Sequence, residues 1–213
     1  NEAGAGGGLF FRGSGELDGV LFKNNSIGSD YIYSGGGADV TAIVGRNCRF
    51  EGNGGFLCFS GAGSSGGHWI DSEFIGNRGE CFGAGLAGGL AENCVFRNNR
   101  SIAFQGDVPA APGGGAAFST LVGCLIEGNS ADESGGGAYE CDLVDCVVRN
   151  NRAGWRDIGD GGGLSRGTAV RCLLEGNRVE RDFGAPSAAA AFDVNFTQCV
   201  IRDHFGEAGV VSG

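Results

Sequence analysis

Residues 135–151 read GGGAYECDLVDCVVRNN, and near-copies of this stretch can be laid over almost the whole chain. With Cys146 as position zero, the equivalent residues are Val20, Cys48, Ser72, Cys94, Cys124, Cys172 and Cys199, which makes eight copies. Their spacings are 28, 24, 22, 30, 22, 26 and 27 residues, so a unit of 22 carries insertions of up to 8. Such a period marks a solenoid, in which one repeat cannot bury its apolar side without its neighbours.

Around position zero the apolar residues alternate. Val122, Cys124 and Ile126, then Val144, Cys146 and Val148, then Val170, Cys172 and Leu174, each sit two apart, which predicts one inward-facing strand through position zero. Beyond it stands Asn25, Asn53, Asn77, Asn99, Asn129, Asn151 or Asn177, replaced in the last copy by His204. The residue before is Asn24, Gly52, Gly76, Asn98, Gly128, Asn150, Gly176 or Asp203, the types that tolerate positive φ. Each coil is therefore expected to bend sharply there, with the Asn turned inward and its amide stacked on the next coil.

A second column, nine residues before position zero, holds Gly63, Gly85, Gly115, Gly137, Gly163 and Ala190, shifted in the first two copies. Only residues without bulk fit where backbones approach closely. No segment shows helical spacing over 11 residues. The expected fold class is all-β, a right-handed parallel β-helix (β-solenoid) of about eight coils. It forms a single domain over 1–213 with coils at 9–25, 35–53, 61–77, 83–99, 113–129, 135–151, 161–177 and 188–204. At roughly 4.8 Å per coil it is a rod about 40 Å long.

The tripeptide G-G-A stands at 36–38, 114–116 and 136–138, and F-x-x-N runs from Phe22 to Asn25, Phe50 to Asn53, Phe74 to Asn77 and Phe96 to Asn99. This pairing resembles the repeats of chlamydial polymorphic outer membrane proteins, within the wider class of right-handed parallel β-helix repeats. Later copies place Ile126, Val148, Leu174 and Ile201 where the Phe would stand. The resemblance implies a secreted, surface-displayed, adhesive passenger joined to a membrane barrel, and no barrel sequence is present.

With 45 Gly among 213 residues but no three-residue period, the chain reads as a folded solenoid rather than collagen. Its net charge of −10 repels nucleic acid and anionic lipid, so no nucleic-acid partner is expected. There is no apolar run of 18 and hence no membrane span. A chain beginning at Asn1 reads as a processed product, extracellular or at the cell surface after removal of an N-terminal signal.

Six of the nine cysteines, Cys48, Cys94, Cys124, Cys146, Cys172 and Cys199, share the inward column. They read as buried thiols acting as small hydrophobes, with metal capture or redox chemistry as the alternative. If any pair is bridged it is Cys58 with Cys81, which lie ten and nine residues after position zero in neighbouring coils. Cys141 has no evident partner.

Two outward columns stand out. Three residues after zero come Lys23, Glu51, Ile75, Arg97, Glu127, Arg149, Glu175 and Arg202, a ladder of alternating charge that fixes register. One residue after zero, Val95, Leu125, Val147, Leu173 and Val200 form an apolar stripe. Such stripes are normally covered, here by the chain's own loop at 101–112 or by another copy.

For catalysis the best assembly is Asp132, Asp157 and Asp160 with Trp155, which reads more simply as solvated loop acids. His68 and His204 stand several coils apart, so no metal site is expected, and no cofactor or catalytic residue is assigned. The functional expectation is a non-enzymatic secreted building block of a fibre, sheath or surface layer, or a surface adhesin. Its partners would be other copies, with glycans or a host or cell surface as further candidates. The alternative is a polysaccharide lyase or glycoside hydrolase of the β-helix type.

Overall fold

The computed structural model describes residues 2–3, 7–27, 35–58, 60–103, 112–154, 160–180, 188–205 and 211–212. Among them the chain is all-β, a parallel β-solenoid of about six turns. Each coil passes through three sheets. Sheet I has twelve strands, while sheets II and III have eight each. Sheet II carries one three-residue rung per repeat, from Leu21–Lys23 to Val200–Arg202. Its register holds Leu125, Val147, Leu173 and Val200 in one line. The eight copies thus appear as eight rungs. The expected count of about eight coils is corrected to about six turns.

The bend before each Asn is present in all eight copies. Asn24, Gly52, Gly76, Asn98, Gly128, Asn150, Gly176 and Asp203 have φ between 53° and 65°. A second left-handed column alters one expectation. The residue before position zero, Gly19, Asn47, Asp71, Asn93, Gly123, Asp145, Arg171 or Gln198, has φ between 49° and 64°. The expected single strand is therefore two, such as Thr120–Val122 of sheet I and Leu125–Glu127 of sheet II. The turn reverses the alternation, so Leu121, Leu143 and Ala169 are buried and Val122, Val144 and Val170 face outward, half-buried.

The core is layered coil on coil. Phe22, Phe50, Phe74 and Phe96 stack with ring centroids 4.7 Å apart and planes within 7°, which matches the strand spacing of a sheet. Ile126, Val148 and Leu174 continue that column, fully buried. Trp69 lies edge-on to Phe50 at 4.6 Å and donates its indole N–H to the Gly66 carbonyl at 2.9 Å. Its room comes from Gly45, where a Cβ would stand 2.2 Å from the indole. In the glycine column a Cβ on Gly137 would meet the Gly163 carbonyl at 2.6 Å, so this corner tolerates no ordinary side chain. Gly8 and Gly37 stack on the same column although they stand 12 and 11 residues before position zero, the shift expected in the first two copies.

Candidate functional site

The Asn corner is a continuous ladder. Asn129 Oδ1 accepts the Asn99 backbone N–H at 2.9 Å and the Asn99 side-chain amide at 3.0 Å. Its Nδ2 donates to Asn151 Oδ1 at 3.0 Å and to the Phe96 carbonyl at 2.9 Å. Every polar valence of this buried amide is filled, as burial demands. The pattern runs through Asn25, Asn53, Asn77, Asn99, Asn129, Asn151 and Asn177. At the end, His204 Nδ1 accepts the Asn177 N–H at 3.1 Å and Nε2–H donates to the Leu174 carbonyl at 3.2 Å. Neutral imidazole in this tautomer does both jobs of an Asn amide, and burial holds its pKa below the ordinary 6.5.

The cysteine column does more than fill space. Cys146 Sγ donates to the Val144 carbonyl at 3.3 Å and accepts the Cys124 N–H at 3.4 Å, closing the left-handed turn at Asp145. Cys172 and Cys199 repeat this, and Ser72 does the same with its hydroxyl. The expectation of simple hydrophobes is thus incomplete, because the turn leaves an N–H pointing at the next coil. Cys48, Cys94, Cys124, Cys141, Cys146 and Cys172 are buried free thiols, while Cys199, in the last coil, is half-buried. Burial pushes the Cys141 thiol up to about 12, which leaves it inert at neutral pH. Cys81 is disulfide-bonded, and its partner across the strand ladder is Cys58, whose side chain lies outside the described residues.

On the outer face of sheet II the charge ladder is made of ion pairs. Lys23 reaches Glu51 at 2.7 Å, Glu127 holds Arg97 at 3.1 Å and Arg149 at 2.8 Å, and Arg202 reaches Glu175 at 3.1 Å. Beside it the apolar stripe is half-buried at Val95, Leu125, Val147 and Leu173. The loop expected to cover it lies mostly at 104–111, outside the described residues. The stripe column opens to solvent only where it ends, with Leu21 55 % and Val200 56 % exposed. Phe10 and Phe11 near the first end and Phe205 near the last, 67 % exposed, complete this distribution. Phe118 is the one large, strongly exposed apolar side chain remote from the ends among the described residues.

Short strands extend two sheets at the ends, Glu2–Ala3 on sheet III and Val211–Ser212 on sheet I. Among the described residues Leu21–Lys23 and Val200–Arg202 are the outermost strands of sheet II.

The candidate acids do not form a catalytic set among the described residues. Asp132 is buried, with Oδ1 3.2 Å from Arg100 Nη2 and Oδ2 accepting the Ala103 N–H at 3.3 Å, so it anchors an insertion rather than being solvated. Asp160 donates its backbone N–H to Ser134 Oγ at 3.2 Å, and Trp155 and Asp157 lie outside the described residues. His68 contacts Glu92 at 2.8 Å. Among the described residues no group of three or more His, Cys, Asp or Glu could hold a metal. No described helix is long and apolar enough to cross a membrane.

No protein-family model, curated protein or solved structure matches this chain. Fold and surfaces together define a class, a parallel β-solenoid of the β-helix repeat type.

Proposed function

We propose that this chain is a non-enzymatic, extracellular structural β-solenoid that self-associates through its ends into a fibre, sheath or surface layer. The carrying observation is where the apolar surface lies. Along the middle coils the stripe is half-buried, whereas the first and last described coils expose Phe10, Phe11, Leu21, Val200 and Phe205 beside the outermost described strands of sheet II. An unpaired edge with an apolar rim is a template for another chain. The disulfide at Cys81 supports an oxidising compartment, and the resemblance of the GGA and FxxN repeats to surface-displayed adhesive passengers supports the same setting. Polysaccharide cleavage needs a carboxylate free to act, and Asp132 is committed to Arg100 and Ala103.

Sedimentation velocity over a micromolar concentration series tests this reading. Concentration-dependent larger species are expected, lost when Leu21 and Val200 are both changed to Lys and kept when Leu125, Val147 and Leu173 are changed to Ser. A wild type that stays monomeric throughout, or association that only the Ser variant loses, overturns it.

A further inference from the structure

Outside sheet I runs a line of side chains from successive coils. Phe82 and Phe118 have ring centroids 5.5 Å apart, and Tyr139 meets Phe118 edge-on at 5.8 Å. Arg166 follows, with its guanidinium 5.6 Å from the Tyr139 ring and Nη1 2.8 Å from the Tyr139 hydroxyl and 2.9 Å from Glu140 Oε1.

Phe118 carries the argument furthest. Ala87, Ala117, Tyr139 and Ser165 are ladder partners, so Gly88, Phe118, Glu140 and Arg166 occupy one turn position. All four have positive φ, and at 52° Phe118 is the only apolar side chain among the non-glycine residues described as left-handed. The two coils before it put Gly66 and Gly88 there, while the first two carry Phe11 and Val40. An aromatic residue in this conformation is strained, and Phe118 is nevertheless 46 % exposed. Strain kept for a side chain that the core does not use points to a surface role.

The footprint selects the partner. It is one residue wide per coil and spans four coils, about 15 Å along the axis, which suits a linear polymer better than a broad protein surface. Its charge is balanced or acidic. Glu140 pairs with Arg166, Glu133 acts on Tyr139 and Asp193 on Arg166, on a chain of net charge −10. Polyanions are therefore disfavoured. Flat aromatic faces flanked by a hydroxyl, a carboxylate and a guanidinium complement pyranose rings, which have apolar faces and hydroxyl edges.

We infer that this line is a binding site for an extended neutral polysaccharide, with Phe118 and Tyr139 against sugar faces and Arg166 and Glu140 bonding hydroxyls. The inference is independent of end-to-end association. Affinity electrophoresis of the intact chain tests it, in gels containing hydroxyethylcellulose, mixed-linkage β-glucan, glucomannan or dextran, with alginate and polygalacturonate as anionic probes. Retardation by at least one neutral polymer is expected, reduced about tenfold or more in Phe118→Gly and weakened in Arg166→Ala. Phe118→Gly should melt at the same or a higher temperature, because glycine is what the two preceding coils carry in this left-handed conformation. Retardation by none of the neutral polymers, stronger retardation by the anionic ones, or undiminished retardation of Phe118→Gly overturns the inference. So does capture of a protein partner through Phe118 without any neutral-glycan binding.

Discussion

Val20 and His204, the exceptions in their columns, show what those columns are for. At position zero the Sγ or Oγ of Ser72, Cys94, Cys146, Cys172 and Cys199 accepts the N–H of the residue one coil before it, a bond that the Val20 side chain has no atom to make. At the other end His204 must still receive the Asn177 N–H, and it does so with a ring nitrogen. Changing Asn129 to Ala removes the acceptor of two Asn99 donors and the donor to Phe96, and is expected to cost about 3 kcal/mol or more in urea unfolding.

His204 gives the fold a pH dependence whose sign follows from its lowered pKa. The neutral ring is favoured on folding, so its contribution is complete above the ordinary 6.5 and is lost as pH falls through the lower folded value. Asp203 and Glu175 face the ring and partly oppose the shift, while Glu51 and Asp145, held low by Lys23 and Arg171, stay charged over this range. His204→Asn continues the ladder without titrating. Its stability relative to wild type should therefore rise as pH is lowered from 7.5 to 5, and a pH-independent difference would contradict the assigned tautomer. The Asn ladder was legible because every copy but one spells it in the same residue. The role of His204 was not, since only the geometry shows that an imidazole spans the same two partners.

At the scale of the strand and turn, each coil is built from left-handed residues followed by a cap. The turn before position zero was partly visible as Gly19, Asn47, Asp71, Asn93, Gly123 and Asp145, but Arg171 and Gln198 hide it, and the two-residue alternation across it imitates one strand. The same turn made the cysteines look like fillers, because their inward position is legible and their bonds to the turn are not. Substitution separates the two roles. Cys146→Ser keeps both bonds, as Ser72 does, and should change stability by less than about 1 kcal/mol. Cys146→Val keeps the volume but leaves the Cys124 N–H without its acceptor, and should cost about 1–3 kcal/mol. Equal effects in thermal unfolding would return the column to simple packing. The charge ladder holds register more than stability. Glu127→Gln, which weakens the contacts to Arg97 and Arg149 at the surface, should cost no more than about 1 kcal/mol.

For the whole molecule, the decisive feature is that burial falls off at both ends. Val20, Cys199 and Ile201 are half-buried where their counterparts in the middle coils are fully buried. Period and columns made the solenoid readable, but exposure depends on which coils have neighbours, and so the apolar stripe drew attention to the side of the rod rather than its tips. A copy added in register would bring Leu21 to Val200 and Phe22 to Ile201. The same register sets Lys23 near Arg202, and each of these cations is already held by a carboxylate of its own molecule, Glu51 at 2.7 Å and Glu175 at 3.1 Å. Val211–Ser212 occupies the sheet I edge at that end, and Val200–Arg202, the outermost described strand of sheet II, is the edge that the proposed contact would use. Electron microscopy of the purified chain at rising micromolar concentration measures this directly. End-to-end association predicts particles one solenoid wide that lengthen in steps of about 40 Å. Particles of constant length that widen into rafts, or single rods at every concentration, would contradict it.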